Sequence, residues 1–172
     1  MFLEVNEYFC LYLKRLLALV EKLERHDSDE ATILSARLTD DMLPLSAQVQ
    51  IASNFALRAC CNVAGESIPE FVEDMGSFFG AKQYVCRAIE HIKKLDSSEP
   101  IEKELNITDD AGLKKIELPA SRYVSEFALP NFFFHLSMVY ATAKSNGVSV
   151  TKGDFDGIHS YPEGFSWETP GP

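Results

Sequence analysis

The chain has 172 residues, enough for one domain with a substantial core, and 46% of them are apolar, which is typical of a globular protein and not of a disordered one. The formal net charge is −10. Because phosphate-rich partners need a basic surface, this charge argues against binding to nucleic acid or to anionic membranes.

The amino-terminal segment does not fit a targeting sequence or a membrane span. Glu4, Glu7 and Lys14 interrupt its apolar residues. The four cysteines, none of them in a C-x-x-C pair, are Cys10, Cys60, Cys61 and Cys86. Reduced thiols in a core are the expected reading. We therefore predict a cytoplasmic protein.

Apolar residues at three-to-four spacing predict four long helices in chain order. The predicted helices cover residues 2–25, Asp40 or Asp41 to Ala64, Asp74 or Ser77 to about Leu95, and Pro130 to Asn146. Pro44 is compatible with the second helix only within its first turn. Pro130 is expected to begin the fourth helix, and Asn146-Gly147 to end it.

Shorter elements are expected between the long helices. Residues 31–38 form a connector with helical character, and Ser121 caps a short helical piece that ends at Phe127. From Pro100 to Leu118, two short runs flank a turn-rich stretch at Thr108–Gly112, which predicts a small β-hairpin. The predicted fold class is all-α: a four-helix bundle with a β-hairpin between helices 3 and 4.

The bundle is predicted to form a single domain over residues 1–157. Residues 158–172 form a carboxy-terminal tail with little periodicity.

One group of residues could form a site around the fourth helix. His135 is the histidine placed among interior aromatic residues, whereas His26 and His91 fall on polar stretches and are expected to be exposed. Residues spaced by seven share one side of a helix, which aligns Asp41 with Gln48 on the second helix.

The segment after the fourth helix could add to this group. Lys152 and Asp154 follow that helix and could fold back over its end. Either Asp41 or Asp154 could orient the imidazole of His135 and raise its basicity.

Each of these candidate site residues also has a purely structural interpretation. His135 is either a hydrogen-bonded core histidine or a catalytic or ligand-binding residue, and Gln48 either makes a hydrogen bond in the core or forms part of a pocket wall. Lys152 and Asp154 are better explained as an ion-paired anchor for the tail than as part of a site. No H-E-x-x-H motif, phosphate loop or nucleophile elbow occurs, and one interior histidine cannot build a three-histidine metal site.

Four stretches of the chain resemble an uncharacterised branch of the DinB-like superfamily. They are Ala36–Leu45, Gln48–Ala52, Ala128–His135 and Lys152–Phe155. The resemblance implies an up-down-down-up bundle, often as a homodimer. Better-known members bind a divalent metal through three histidines, and some are thiol-dependent transferases or isomerases. The cofactor that this resemblance would imply for the chain is a divalent metal, zinc or nickel.

The chain departs from that metal-binding pattern at two positions. A His-x-x-x-His pair would need a histidine where Val139 stands, and Gln48 occupies the place expected for the histidine of the second helix. The principal hypothesis is a small-molecule-binding bundle that lacks the three-histidine site. The alternatives are a metal-dependent or histidine-based enzyme, and a non-catalytic interaction protein that uses the aromatic tail.

Overall fold

Four long helices form where the sequence carries apolar stripes, in a computed structural model that describes residues 2–26, 29–95 and 105–162. In chain order the elements are α1 (Phe2–Glu24), α2 (Glu30–Ser35), α3 (Leu45–Ala64), α4 (Phe78–Lys94), β1 (Asn106–Ala111), β2 (Lys114–Pro119), α5 (Ala120–Arg122), a π-helical segment (Tyr123–Ala128), α6 (Leu129–Ser145) and α7 (Lys152–Asp156). Within these ranges, no helix combines the length and apolarity needed to cross a membrane. The predicted tail falls largely outside the described residues, which end at 162.

The core consists of one apolar face from each long helix. Fully buried side chains from these faces include Phe9, Leu13 and Leu16 of α1, Val49 and Leu57 of α3, Val85 of α4, and Phe132 and Leu136 of α6. Each such large side chain contributes about 1.5–3 kcal/mol by leaving water. The three-to-four spacing read from the sequence therefore corresponds to real buried faces.

The helices α1 and α4 pack side by side in opposite directions. Lys82, near the start of α4, pairs with Glu24 at the end of α1 at 2.6 Å. The Cys10 thiol, earlier in α1, lies 4.0 Å from the carbonyl of Ile89, later in α4. Helix α4 also packs on α3, and α3 on α6, which gives the order α1, α4, α3, α6 around the bundle.

Helix α3 begins later than the sequence predicts. It starts at Leu45, with Pro44 as its N-cap instead of lying inside its first turn. A residue before proline is disfavoured in the helical region, so Leu43 cannot carry the helix into Pro44. Asp40 and Asp41 consequently lie in a turn ahead of the helix.

Pro130 does not begin a separate helix, contrary to the prediction. The chain runs from α5 through the π-helical segment into α6, and Pro130 occupies the first turn of α6. A proline ring clashes with the carbonyl four residues earlier, and the wider π-helical turn relieves that clash. The Leu129 N–H donates to the Val124 carbonyl, five residues back. One continuous helical stretch from Ala120 to Ser145 results.

The predicted hairpin between the third and fourth long helices is present, but its turn is shorter than expected. Strands β1 and β2 pair antiparallel, with Asp109 opposite Ile116. Residues 108–111, predicted as a turn, belong to β1, and the reversal occurs at Gly112-Leu113. Gly112 has φ of +64°, a left-handed conformation that glycine adopts at little cost. The amino-terminal part of the predicted hairpin, residues 100–104, lies outside the described residues.

A polar cluster holds the hairpin against the bundle and explains why two aspartates lie in a strand. The Asp109 carboxylate accepts hydrogen bonds from the Arg58 Nε at 2.9 Å and from the Tyr123 hydroxyl. Arg58 also donates to the Asp110 carbonyl at 2.6 Å. The Asn62 amide donates to the Tyr123 hydroxyl at 3.0 Å. These tertiary contacts override the low strand propensity of aspartate.

We expect Tyr123→Phe to lower the free energy of unfolding by about 1–3 kcal/mol, because it leaves the half-buried Asp109 carboxylate and Asn62 amide each without one hydrogen bond. Urea denaturation followed by circular dichroism measures the change. Tyr140→Phe is the matched control, since the Tyr140 hydroxyl has no hydrogen bond within the described part of the chain. Equal stability of the two variants would show that the cluster does not hold the hairpin in place.

Candidate functional site

The site is centred on a hydrogen bond between α3 and α6. The Nδ1 of His135 lies 2.6 Å from the Gln48 Oε1. Gln48 is 2% exposed, and its Nε2 donates to the Leu43 carbonyl at 3.3 Å. Because a carbonyl can only accept, the NH₂ group must face Leu43 and the oxygen must face the imidazole. Nδ1 of His135 therefore carries the proton.

This arrangement leaves the Nε2 of His135 as the reactive atom. Among the residues that the structure describes, Nε2 has no hydrogen-bond partner, and it is not a fully buried atom. The imidazole as a whole is half-buried. In the neutral tautomer that Gln48 selects, Nε2 presents a lone pair toward solvent.

Aromatic rings hold the imidazole in place. Phe55 of α3 stacks on it at 5.7 Å between centroids with an interplanar angle of 15°, and Phe134 meets it edge-on at 5.2 Å. Phe55 also meets Phe127 of the π-helical segment at 5.6 Å. The guanidinium of Arg58 lies over Phe55 at 4.9 Å, a cation–π contact. The imidazole is thus held both by a hydrogen bond and by stacking.

Burial lowers the pKa of His135 below its ordinary value of 6.5, because the charged form loses solvation among these rings. The partner that orients the ring is a neutral amide, which offers no charge to stabilise an imidazolium. The imidazole of His135 is therefore neutral at physiological pH.

Asp41, predicted to share a side of the second helix with Gln48, is not placed to orient His135. It precedes the start of α3, so the helical spacing does not extend to it. Its carboxylate is exposed and accepts a hydrogen bond from the Thr39 hydroxyl at 2.7 Å. That hydrogen bond is the main cause that lowers the pKa of Asp41.

Lys152 and Asp154 lie on α7, which packs against α1 and not beside His135. Asp154 accepts from Lys22 of α1 at 3.0 Å and closes a capping box with Thr151. Burial acts to raise the pKa of Asp154, but the hydrogen bonds from Thr151 and Lys22 hold it below its usual range. Lys152 is exposed. Asp154 therefore anchors α7 to α1, whereas Lys152 forms no ion pair with any residue that the structure describes.

The packing of Phe155 explains why α7 is remote from His135. Its ring contacts Tyr12 of α1, and Phe133 and Tyr140 of α6. On a helix with 100° per residue, Phe133 and Tyr140 point well away from the direction of His135. Helix α6 therefore presents one side to α7 and another to Gln48.

The sequence reasoning missed Arg58, Asp109, Tyr123 and Asn62, which adjoin the site. Arg58 links them to it through its contacts with Phe55 and Phe127, the latter at 5.4 Å. One signal was available: Arg58 is the only charged residue in α3. A lone charge in an apolar helix needs a partner, but the sequence does not say which one.

Two other histidines differ from expectation. His26 and His91, predicted to be exposed, are both half-buried. The Nε2 of His91 is buried without a hydrogen-bond partner among the described residues. His91 lines a small pocket with Phe71 and Arg87, because the loop after α3 packs back over α4. The polar residues beside His91 in the sequence predicted exposure and gave no sign of this contact with the loop.

The residues around His135 do not fit the three-histidine metal site of DinB-like relatives. Val139, one turn beyond His135, is fully buried and cannot coordinate a metal. Gln48 offers an amide whose oxygen already accepts from Nδ1. Across residues 2–26, 29–95 and 105–162, no group of three His, Cys, Asp or Glu side chains is placed to hold a metal ion.

Comparisons with known proteins agree on the fold. The family model described as a domain of unknown function (DUF1993) matches residues 4–156. No curated protein matches the chain. Among solved structures, the crystal structure of a DinB family member protein from Shewanella denitrificans is similar, with a TM-score of 0.78 at 24% identity over 92% of this chain and 93% of that chain.

At this identity the structural likeness establishes the fold and not the activity. The resemblance predicted from the sequence is confirmed at that level. The chain belongs to the DUF1993 family, an uncharacterised branch with the DinB-like fold.

Proposed function

We propose that this protein binds a small molecule at the edge of the α3–α6 interface, with the Nε2 of His135 accepting a hydrogen bond from the ligand. The observation that carries the proposal is the Gln48–His135 hydrogen bond, which fixes one tautomer and leaves the lone pair of Nε2 accessible. Burying the polar amide of Gln48 costs desolvation free energy. The fold itself does not require the exposed Nε2 that this arrangement leaves on His135.

The surroundings indicate the chemistry of the ligand. Phe134 is 52% exposed beside the imidazole, so an apolar or planar part of a ligand can pack on it. Nε2 requires a donor such as a hydroxyl or N–H group. The ligand class is therefore a compact, largely apolar molecule with one hydrogen-bond donor.

Binding is better supported than acid–base catalysis. A catalytic histidine is usually oriented by a carboxylate, which raises its basicity and stabilises the imidazolium. Here the partner is the neutral amide of Gln48, and the pKa of His135 is lowered by burial. A metal-dependent or thiol-dependent transferase reaction would need ligands that Gln48 and Val139 do not supply. The two enzyme hypotheses, a histidine-based and a metal-dependent reaction, are therefore less well supported than ligand binding.

We infer that the helices follow the up-down-down-up order. The antiparallel pairing of α1 with α4 supports it, as does that of α3 with α6, where Gln48 meets His135 and Asn62 meets Tyr123. A simple up-down-up-down order would make both pairs parallel. A homodimer and a cytoplasmic location remain predictions of the sequence analysis.

We expect a hit from a metabolite library to raise the melting temperature of the wild-type protein by about 5–10 °C at a concentration 100-fold above its Kd. The shift should disappear in His135→Asn, because the asparagine cannot present the same acceptor. His26→Asn is the control and should keep the shift. A library that moves the melting temperature of no sample, or a shift retained in His135→Asn, would contradict the proposal.

The tautomer assignment has a direct test in Gln48→Glu. A carboxylate beside Nδ1–H favours the imidazolium, so the pKa of His135 should rise above its wild-type value. A proton NMR titration of the Cε1–H signal measures both values. Gln50→Glu adds the same charge on α3, but its side chain interacts with Tyr84 and not with His135. An unchanged titration of His135 in Gln48→Glu would mean that Gln48 is not its partner.

The same histidine predicts how stability depends on pH. The folded pKa lies below the unfolded value of 6.5, so the contribution of His135 to stability is complete above pH 6.5. It falls as pH drops through the folded pKa, because the unfolded chain binds the proton more readily. On acidification, the unfolding free energy of the wild type should therefore fall relative to that of His135→Asn. Urea denaturation at a series of pH values measures it, and a difference that does not vary with pH would contradict the assignment.

We expect purified protein without a histidine tag to contain far less than one equivalent of zinc or nickel per chain, and His135→Ala to leave that content unchanged. The reason is that Gln48 and Val139 replace two of the three histidine ligands of DinB-like relatives. Inductively coupled plasma mass spectrometry measures the content. A stoichiometric metal that His135→Ala removes would restore the metalloenzyme hypothesis.

A further inference from the structure

A groove of about 470 Å³ lies between α1 and α4, on a different helix pair from the His135 site. Its lining includes Asn6, Cys10 and Lys14 of α1, and Ile92 and Lys93 of α4. The volume is in the range of small-molecule sites, and the mixture of apolar walls with a few polar groups is typical of them. The proposed function at His135 does not use this groove.

Asn6 is the first sign that the groove takes a ligand. Its side chain is only 8% exposed, and its Oδ1 is buried without a hydrogen-bond partner among the described residues. Most buried amide oxygens accept a hydrogen bond, because burying such an oxygen without one costs free energy. Asn6 belongs to the lining of the groove, so a ligand donor can reach this oxygen after a small rotation of the Asn6 side chain.

Two lysines give the groove a local positive charge. Lys14 and Lys93 both line it, and neither forms an ion pair with a residue in the described ranges. Burial raises the pKa of the Cys10 thiol, while the charges of Lys93 and Lys14, the two lysines of the groove lining, act to lower it. In a chain of net charge −10, such a pair of neighbouring cations attracts one anionic group locally.

The remaining lining limits the choice of anion. Leu11, 44% exposed, and the buried Ile92 offer an apolar wall. Glu7 also lines the groove, and its carboxylate disfavours a second negative group. An inorganic phosphate or a dicarboxylate fits this combination less well than an acid with a single charge and an apolar body.

We propose that the α1–α4 groove is a binding site for a small amphipathic organic acid. Its carboxylate pairs with Lys14 and Lys93, its apolar body packs on Leu11 and Ile92, and a hydrogen-bond donor on that body reaches Asn6.

Three probes test the proposal on the full-length protein by ¹H–¹⁵N NMR titration. Indole-3-acetate has the carboxylate, the apolar ring and an N–H donor. Naphthalene-1-acetate lacks the donor, and indole-3-ethanol lacks the charge. We expect indole-3-acetate to shift the amide signals of Asn6, Leu11 and Ile92, and to bind at least threefold more tightly than either of the other probes. No shift of these signals at millimolar indole-3-acetate would overturn the proposal.

Variants then separate the contacts. The double variant Lys14→Met with Lys93→Met keeps the side-chain stems and should weaken binding of indole-3-acetate about tenfold, whereas Lys94→Met, at the adjacent position outside this groove, should not change it. Asn6→Leu should abolish the advantage of indole-3-acetate over naphthalene-1-acetate. Affinity unchanged in the double variant, or an advantage that survives Asn6→Leu, would refute the assigned contacts.

His135→Asn should leave indole-3-acetate binding intact at these signals. That result distinguishes this site from the proposed function, since each can fail without the other. Loss of the shifts at Asn6 and Leu11 in His135→Asn would refute the assignment to the groove.

Discussion

The close approach of α3 to the helical stretch Ala120–Ser145 is the constraint on which the rest of the structure depends. One stripe of α3 presents Gln48, Ala52, Phe55, Ala59 and Asn62 at alternating spacings of four and three residues. The two alanines are fully buried, and their small size lets the helices approach each other. Only at this distance can Gln48 reach His135 at 2.6 Å and Asn62 reach the Tyr123 hydroxyl at 3.0 Å.

The same interface explains why a single charge is tolerated inside an apolar helix. Arg58 is only partly exposed, and its guanidinium is matched by the Asp109 carboxylate and the Asp110 carbonyl, both from the hairpin. Burying such a pair gains little over apolar packing, but breaking it would leave an uncompensated charge. The hairpin is thereby fixed to the bundle next to Phe127, at the edge of the histidine site. The π-helical turn contributes as well, because it carries Tyr123 and Phe127 toward α3.

The two proposed sites differ in what they require of the fold. The His135 site uses an oriented neutral imidazole with one open nitrogen, and its charge is suppressed by burial. The α1–α4 groove uses two ammonium groups, which form no ion pair with the residues described by the structure, and a buried amide. Both lie on helix pairs that run antiparallel, where side chains from distant parts of the chain meet across an interface. Neither site requires the metal chemistry of DinB-like relatives.

The amino-acid sequence by itself determined the long helices, the interior position of Phe132 and Leu136, and the presence of a hairpin after the third long helix. These follow from apolar periodicity and turn residues, which act over a few positions. It also placed His135 and Gln48 in one candidate site, but it expected Asp41 or Asp154, and not Gln48, to orient the imidazole. The DinB-like resemblance added the fold, which the structural likeness confirms.

Only the tertiary structure decided which polar groups meet. Asp41 aligns with Gln48 by helical spacing, but Pro44 delays the start of α3 and leaves Asp41 in solvent. Asp154 was a predicted partner of His135, but it forms an ion pair with Lys22 instead, because α7 packs on α1. Arg58, Asp109 and Tyr123 lie 14 or more positions apart in the sequence and still share one cluster. Such pairings depend on how helices dock, which local sequence patterns do not encode.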